Sequence, residues 1–184
     1  MELSGRLGEM IWRSVILGAA AALVVGCAAP TREGAEFSAI SQNIGPPKSG
    51  NARIVVMREK AYAGLVDHGW PVALDGQSMG ELKTGTYLYL DRPAGPHQLS
   101  VDEWGFPGVT RHDFAAAPGR TYFFVTKVSE RSKALSGAQT YGGLAGLAIV
   151  AAATSSDKNP GPVDFVAMEE SAARTMIAGL RLGN

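Results

Sequence analysis

The stretch Pro71-Val72-Ala73-Leu74-Asp75-Gly76-Gln77-Ser78-Met79-Gly80-Glu81-Leu82-Lys83 decides the fold class. Asp75-Gly76 is a strong two-residue hairpin signal, because a type I′ turn needs positive φ at both central residues and Asp-Gly accepts it. Pro71 to Leu74 and Gln77 to Lys83 are then antiparallel partners. Such a pair closes through two residues, whereas parallel neighbours need a long crossover, so the reading outward is of an antiparallel β domain.

Upstream, Ala52 to Arg58 reads ARIVVMR, a β-branched run bounded by a Gly/Pro-rich segment, and makes the first strand. Downstream, Thr84-Gly85 breaks the chain. Thr86 to Asp91 then alternates Tyr87 and Tyr89 with Leu88 and Leu90, which suits a strand partly covered on both faces. Arg92-Pro93-Ala94-Gly95-Pro96 is a rigid turn leading into His97 to Val101, where His97, Leu99 and Val101 share a face, and the expectation is a second hairpin. A loop with Trp104 and Phe106 precedes a strand over Val109 to Ala115. Pro118-Gly119 turns the chain into Thr121 to Val128, TYFFVTKV, expected as a central strand. Turn signals every 8 to 12 residues or so predict a mainly β domain, a small antiparallel β-sandwich or open barrel.

Beyond Val128 the pattern changes. Gly142 to Ala153 reads GGLAGLAIVAAA, shorter than the roughly 20 apolar residues a membrane helix needs. It is expected to pack as a core helix, with helix association through Gly142 and Gly146 or membrane insertion as alternatives. Val163 to Met168 is a last strand. Glu169 and Glu170 open a helix to about Leu182, with Ala173, Met176, Ile177 and Leu180 on the face that packs across the sheet, and Arg181 and Gly183 at its close.

The amino terminus tells where the domain is delivered. Arg6 and Arg13 precede a continuous apolar or small run, Val15 to Val25, too short to span a bilayer and shaped like a secretory signal. Its end, Val24-Val25-Gly26-Cys27, resembles the bacterial lipobox. That resemblance implies cleavage after Gly26 and diacylglyceryl attachment to the Cys27 thiol; the alternative is a free buried cysteine. Two or more acyl chains hold a protein stably at a membrane, whereas one holds it marginally. Ala28 follows the cysteine, where an aspartate would favour inner-membrane retention, so the resemblance implies the outer membrane and its periplasmic face. The expected organisation is a signal peptide over 1–26, lipidated Cys27 with a flexible tether over 27–51, and the β domain over 52–184. Gly45-Pro46-Pro47 favours extended geometry in the tether, and Phe37 and Ile40 are candidates for docking back on the domain.

The chain has 17 basic and 17 acidic residues, with no basic tract, so phosphate neutralisation offers no route to nucleic acid. Its single cysteine excludes a disulfide framework.

Across Ala52 to Val128 the chain is similar to an uncharacterised family of bacterial lipoproteins. The matching positions are Leu74, Asp75 and Gly76 in the hairpin, Gly80, then Gly85 and Tyr87, then Pro93, Gly95 and His97, then Gly119 and Tyr122. Pro96 departs from the pattern and stiffens its turn. The resemblance implies a small periplasmic β-sandwich and brings no activity with it.

Three groups of residues carry potential chemistry. Gly76-Gln77-Ser78-Met79-Gly80 fits the Gly-x-Ser-x-Gly nucleophile elbow, and Asp102 and His112 follow in hydrolase order, but the elbow needs a strand, a sharp turn and a helix, and a strand follows here. His97, Asp102, Glu103, His112 and Asp113 include metal-ligand types without metal-ligand spacing, so no metal or other cofactor is expected. Trp70, Trp104 and Phe106 are expected in loops and either plug the end of the core or form a surface for an envelope protein or glycan. The expected function is that of a lipid-anchored periplasmic binding or structural module without enzymatic activity. The alternatives are an envelope serine hydrolase using Ser78 and a packing protein without a dedicated partner.

Overall fold

The computed structural model describes residues 46–60 and 67–184. The signal run, Gly26, Cys27 and the tether as far as residue 45, including Phe37 and Ile40, lie outside the described residues.

Among the described residues there are nine strands in two sheets and two helices: β1 Asn51–Met57, β2 Trp70–Leu74, β3 Gln77–Leu82, β4 Thr86–Pro93, β5 Gly95–Val101, β6 Thr110–Ala116, β7 Thr121–Val128, α1 Glu130–Ala153, β8 Val163–Met168, α2 Glu170–Ile177 and β9 Arg181–Leu182. The sheet orders are β8-β7-β1-β4-β9 and β3-β2-β5-β6, and the two sheets form a sandwich. Asp75 (φ 53°) and Gly76 (φ 75°) both take positive φ, as the type I′ turn requires.

β1 is buried along almost its whole length because both of its faces are covered. Ile54 and Val56 point inward with Leu88, Phe124 and Phe165 against Val72, Leu74, Leu99 and Val101 of the second sheet. Val55 and Met57 point outward and pack with Tyr87 and Phe123 under Ala173 and Ile177 of α2. This two-sided burial is why the strand reads as a continuous apolar run.

Three expectations about the sheets and the last helix are corrected. β1 pairs with β7 in parallel, Arg53 opposite Thr121 and Met57 opposite Val125, and β9 is parallel to β4, so the sandwich is not purely antiparallel. The chain between β1 and β7 builds the whole second sheet, and this excursion lets it return in the same direction. β4 and β5 do not form a hairpin: β4 pairs with β1, whereas β5 pairs with β2 and β6. Pro93 and Pro96 have no N–H to give a ladder, Ala94 N–H donates to Gly50 O (2.9 Å), and the chain crosses between sheets here. The carboxy-terminal helix stops at Ile177 rather than Leu182. Leu180 joins the cluster that helical spacing would predict, but through a turn closed by its N–H to Ile177 O (3.0 Å), after which Arg181 and Leu182 pair with β4.

The chain ends as a bridge between sheets. Gly183 N–H donates to Tyr87 O (2.9 Å), while Asn184 O accepts from Glu81 N–H (2.8 Å).

The largest correction concerns Gly142 to Ala153, which is not in the core. Helix α1 is broken at Gly143 (φ 59°, ψ −152°), giving limbs over 130–142 and 144–153. The limbs run back along each other. Arg131 near one end donates to Thr154 O (2.5 Å) and Ala151 O (3.2 Å) near the other, and a Cβ on Gly146 would stand 2.8 Å from Ala138 O. The glycines that suggested helix association therefore close a helical hairpin within one chain. The sandwich core is filled by the sheets, which leaves this hairpin projecting.

Candidate functional site

The strands converge on two ends of the sandwich. At one, Asn51 opens β1 beside Pro93 and Thr121 opens β7. At the other, Val101 faces Thr110 and Val128 faces Val163. This second end is stitched by side chains: Thr110 Oγ1 donates to Val163 O (2.7 Å), and Ser129 Oγ donates to Gly161 O (2.7 Å) while accepting from Ser132 N–H (3.0 Å) as the cap of α1. The chain passes so close here that a Cβ on Gly161 would lie 2.0 Å from Thr110 N.

Arg131 ties the hairpin to the loop over 102–109. Its side chain is buried, and besides Thr154 O and Ala151 O it donates to Pro107 O (2.7 Å). Carbonyls at a helix carboxy terminus carry partial negative charge, so the guanidinium caps the second limb while holding the loop. The loop carries Trp104, 98% exposed, beside half-buried Phe106. The hairpin exposes Tyr141 (93%), Leu144 (80%) and Ile149 (70%). Four large side chains are thus presented to solvent at one end of the domain, against the usual tendency to bury them or leave them scattered.

Trp70, the third aromatic, does not belong to this surface. It is buried, with the Arg58 guanidinium 3.8 Å from its ring centroid, and it plugs the core. Arg58 also faces Asp67 at 3.2 Å and donates to Leu82 O (3.2 Å). Burial lowers its pKa, against the opposing charges of Asp67 and Glu103.

Ser78 sits on edge strand β3 next to a bulge: Ala73 pairs with Ser78 and Val72 with Gly80, leaving Met79 as the extra residue. A strand follows, not a helix. His112 lies on β6, at the opposite edge of the same sheet, three strand spacings or about 14 Å away. Each glycine of the motif has its own structural reason: Gly76 makes the turn, and a Cβ on Gly80 would stand 2.0 Å from Asn184 O.

His97, Asp102, Glu103, His112 and Asp113 are not brought together. His112 packs among aromatic rings, 5.3 Å from the Phe124 centroid and 6.2 Å from that of Phe165. Asp113 accepts from Gln98 Nε2 (2.8 Å) on the other face. Among the described residues no three His, Cys, Asp or Glu side chains are placed to hold a metal ion.

His97 serves the turns. Nδ1 lies 2.8 Å from Asp75 Oδ2 and Nε2 lies 2.8 Å from Pro93 O, so the ring binds the β2–β3 turn to the segment that crosses between sheets. Gln98 N–H reaches Asp75 Oδ1 (2.9 Å), Arg92 stands 3.8 Å from Oδ2, and Arg92 also donates to Gln77 Oε1. Burial raises the Asp75 pKa, but the Gln98 N–H, His97 and Arg92 outweigh it and hold the carboxyl below its ordinary value. The adjoining cleft of about 510 Å³ is shallow and lined by these same paired groups with Pro96, Phe114 and Ala115. A cleft of about 720 Å³ at the end where Asn51 opens β1 has its Arg53 paired with Asp91 and its Arg174 with Glu170.

Residues 48–138 match the model of a family described as a protein of unknown function, DUF2846. No curated protein matches the chain. The matched span covers the strands from β1 to β7 and the first part of α1, so the chain is similar there to an uncharacterised family. The second limb of the hairpin, β8, α2 and β9 fall beyond it.

The sequence signal for the exposed end was partly legible. Trp104 between acidic and glycine neighbours marks a loop tip, whereas the projecting hairpin required recognising that Gly142-Gly143 reverses a helix.

Proposed function

We propose that this chain is a lipid-anchored protein of the bacterial cell envelope, held through Cys27 at the periplasmic face of the outer membrane, with its β-sandwich acting as a binding or structural module. The observation that carries the reading is the order of Val15 to Val25, then Val24-Val25-Gly26-Cys27, then a Gly/Pro-containing segment ahead of the domain. A membrane-tethered module needs a contact surface rather than a catalytic pocket. The Trp104 and hairpin end supports that role, since exposed aromatic anchors are the residues that contribute most where surfaces meet.

Fractionation of the cell envelope tests the reading. Wild type should sediment with outer membranes and resist alkaline extraction, while Cys27→Ser should accumulate as unprocessed precursor. Normal processing and outer-membrane retention of Cys27→Ser would defeat it.

A further inference from the structure

The apolar end has an occupant that its shape and chemistry select. No Asp, Glu, Lys or Arg occurs between Lys133 and Asp157, so the whole hairpin above its foot is uncharged. The second limb, with the glycines that precede it, has no polar side chain on any face from Gly142 to Ala153. A helix that is apolar all round belongs either in a protein core or in lipid, and this one is not in the core. It also differs from helices that lie flat in an interface, which keep one polar face in water.

The dimensions fit a single leaflet. Ten residues at about 1.5 Å each make the second limb about 15 Å long, half of a hydrocarbon core of about 30 Å. No described helix is long and apolar enough to cross a membrane. Charged residues resume at both feet, with Lys133 paired to Glu130 (2.6 Å) on one limb and Asp157 and Lys158 after the other. Trp104 is carried on the loop that Arg131 holds to the hairpin foot through Pro107 O (2.7 Å), and indole rings favour the boundary between headgroups and acyl chains. Gln139 and Thr140 lie near the tip on the first limb, and the Thr140 hydroxyl is satisfied by Ser136 O (2.8 Å).

A second copy fits less well. Two short limbs side by side offer a face of about 15 by 20 Å, roughly 300 Å² by helix dimensions. A stable protein interface buries about 800 Å² on each partner. The surface is also a convex projection, which fluid acyl chains accommodate without a matching groove.

We propose that the helical hairpin, led by Tyr141 and Leu144, inserts into one leaflet of a lipid bilayer, with Trp104 seated among the headgroups. This rests on the reading of the Trp104 end as the contact surface and supplies its partner. The 19 residue steps from Cys27 to Pro46 reach at most about 68 Å at full extension. That exceeds the length of the strands, so the domain can turn its hairpin toward the leaflet that holds the tether.

The test uses the full chain with Cys27→Ser, so that insertion is measured without the lipid. An amino-terminal His tag holds the protein on vesicles of phosphatidylethanolamine and phosphatidylglycerol carrying a nickel-chelating lipid. An environment-sensitive dye is placed on Leu144→Cys and, as a control at the opposite end, on Ala117→Cys. Insertion predicts blue-shifted emission from position 144, quenching by lipids brominated in their acyl chains, and neither effect at 117. Water-like emission at 144, quenched by aqueous iodide as at 117, would overturn the proposal. A blue shift that depends on protein density and ignores bromolipids would also overturn it, in favour of a second copy. Loss of the anchor reading is detected separately, by the fractionation of Cys27→Ser.

Discussion

Replacing Arg131 by methionine tests how the projecting end is built. Arg131 is 4% exposed, and its guanidinium donates to Thr154 O, Pro107 O and Ala151 O, joining both limbs of the hairpin to the Trp104 loop. Methionine keeps much of the aliphatic stem and removes every donor. Hydrogen bonds from a charged group contribute about 1.5–3 kcal/mol each, but three on one side chain do not add fully, and removing the guanidinium also relieves its desolvation. The expected loss is about 2–4 kcal/mol, or on the order of 10 °C in Tm for a domain of this size. Urea denaturation gives the global figure, and hydrogen exchange resolved to peptides gives the local one, with protection falling most over 130–156. Arg131→Lys reaches fewer carbonyls at a time and should lose roughly half as much. If Arg131→Met is within about 0.5 kcal/mol of wild type with unchanged protection at the hairpin foot, the clasp is not what holds this end together.

Other outcomes follow from the same contacts. The Asp75 carboxyl is held below its ordinary pKa, so its contribution to stability is complete above about pH 4 and is lost as pH falls through the lowered folded value. Acid titration of Tm should therefore show a steeper decline in wild type than in Asp75→Asn, the two curves converging at the acid end; parallel curves would remove Asp75 from the account. Trp70→Ala should cost about 3–5 kcal/mol as a core truncation, whereas Trp104→Ala should shift stability by less than about 0.5 kcal/mol. Equal effects in denaturant melts would contradict their assigned environments. Gly161→Ala places a Cβ 2.0 Å from Thr110 N and 2.1 Å from its Oγ1, which should lower the yield of folded protein sharply while Gly137→Ala, with open space around it, does not.

The parts of the fold that showed in the sequence are those fixed by local chemistry. Asp75-Gly76 specified its turn through backbone geometry, and Thr121 to Val128 and Val163 to Met168 specified strands with the observed boundaries. The alternation of Tyr87 with Leu88 placed one residue in each of the two cores. What failed was non-local. Nothing in Arg92 to Pro96 states whether the next strand returns beside β4 or crosses to the other sheet, because that choice depends on β1 and β2 competing for partners. Leu180 kept its expected neighbours while leaving the helix, since a turn and a short strand satisfy the same burial as another helical turn. GGLAGLAIVAAA reads as core because apolar residues are usually buried, and composition does not show that the sheets have already filled the space. In the candidate site, Trp104 and Trp70 looked alike in sequence, and only the packing of Arg58 over one of them separated plug from surface.

The measurement that bears most directly on this account is the mass of the amino-terminal peptide from protein purified out of native envelopes. Lipidation predicts a mature chain beginning at Cys27, heavier than the bare peptide by diacylglyceryl and amide-linked acyl groups, and lightened by alkaline hydrolysis only by the ester-linked acyl chains. A chain that retains residues before Cys27, or that begins there with a free thiol, would contradict it.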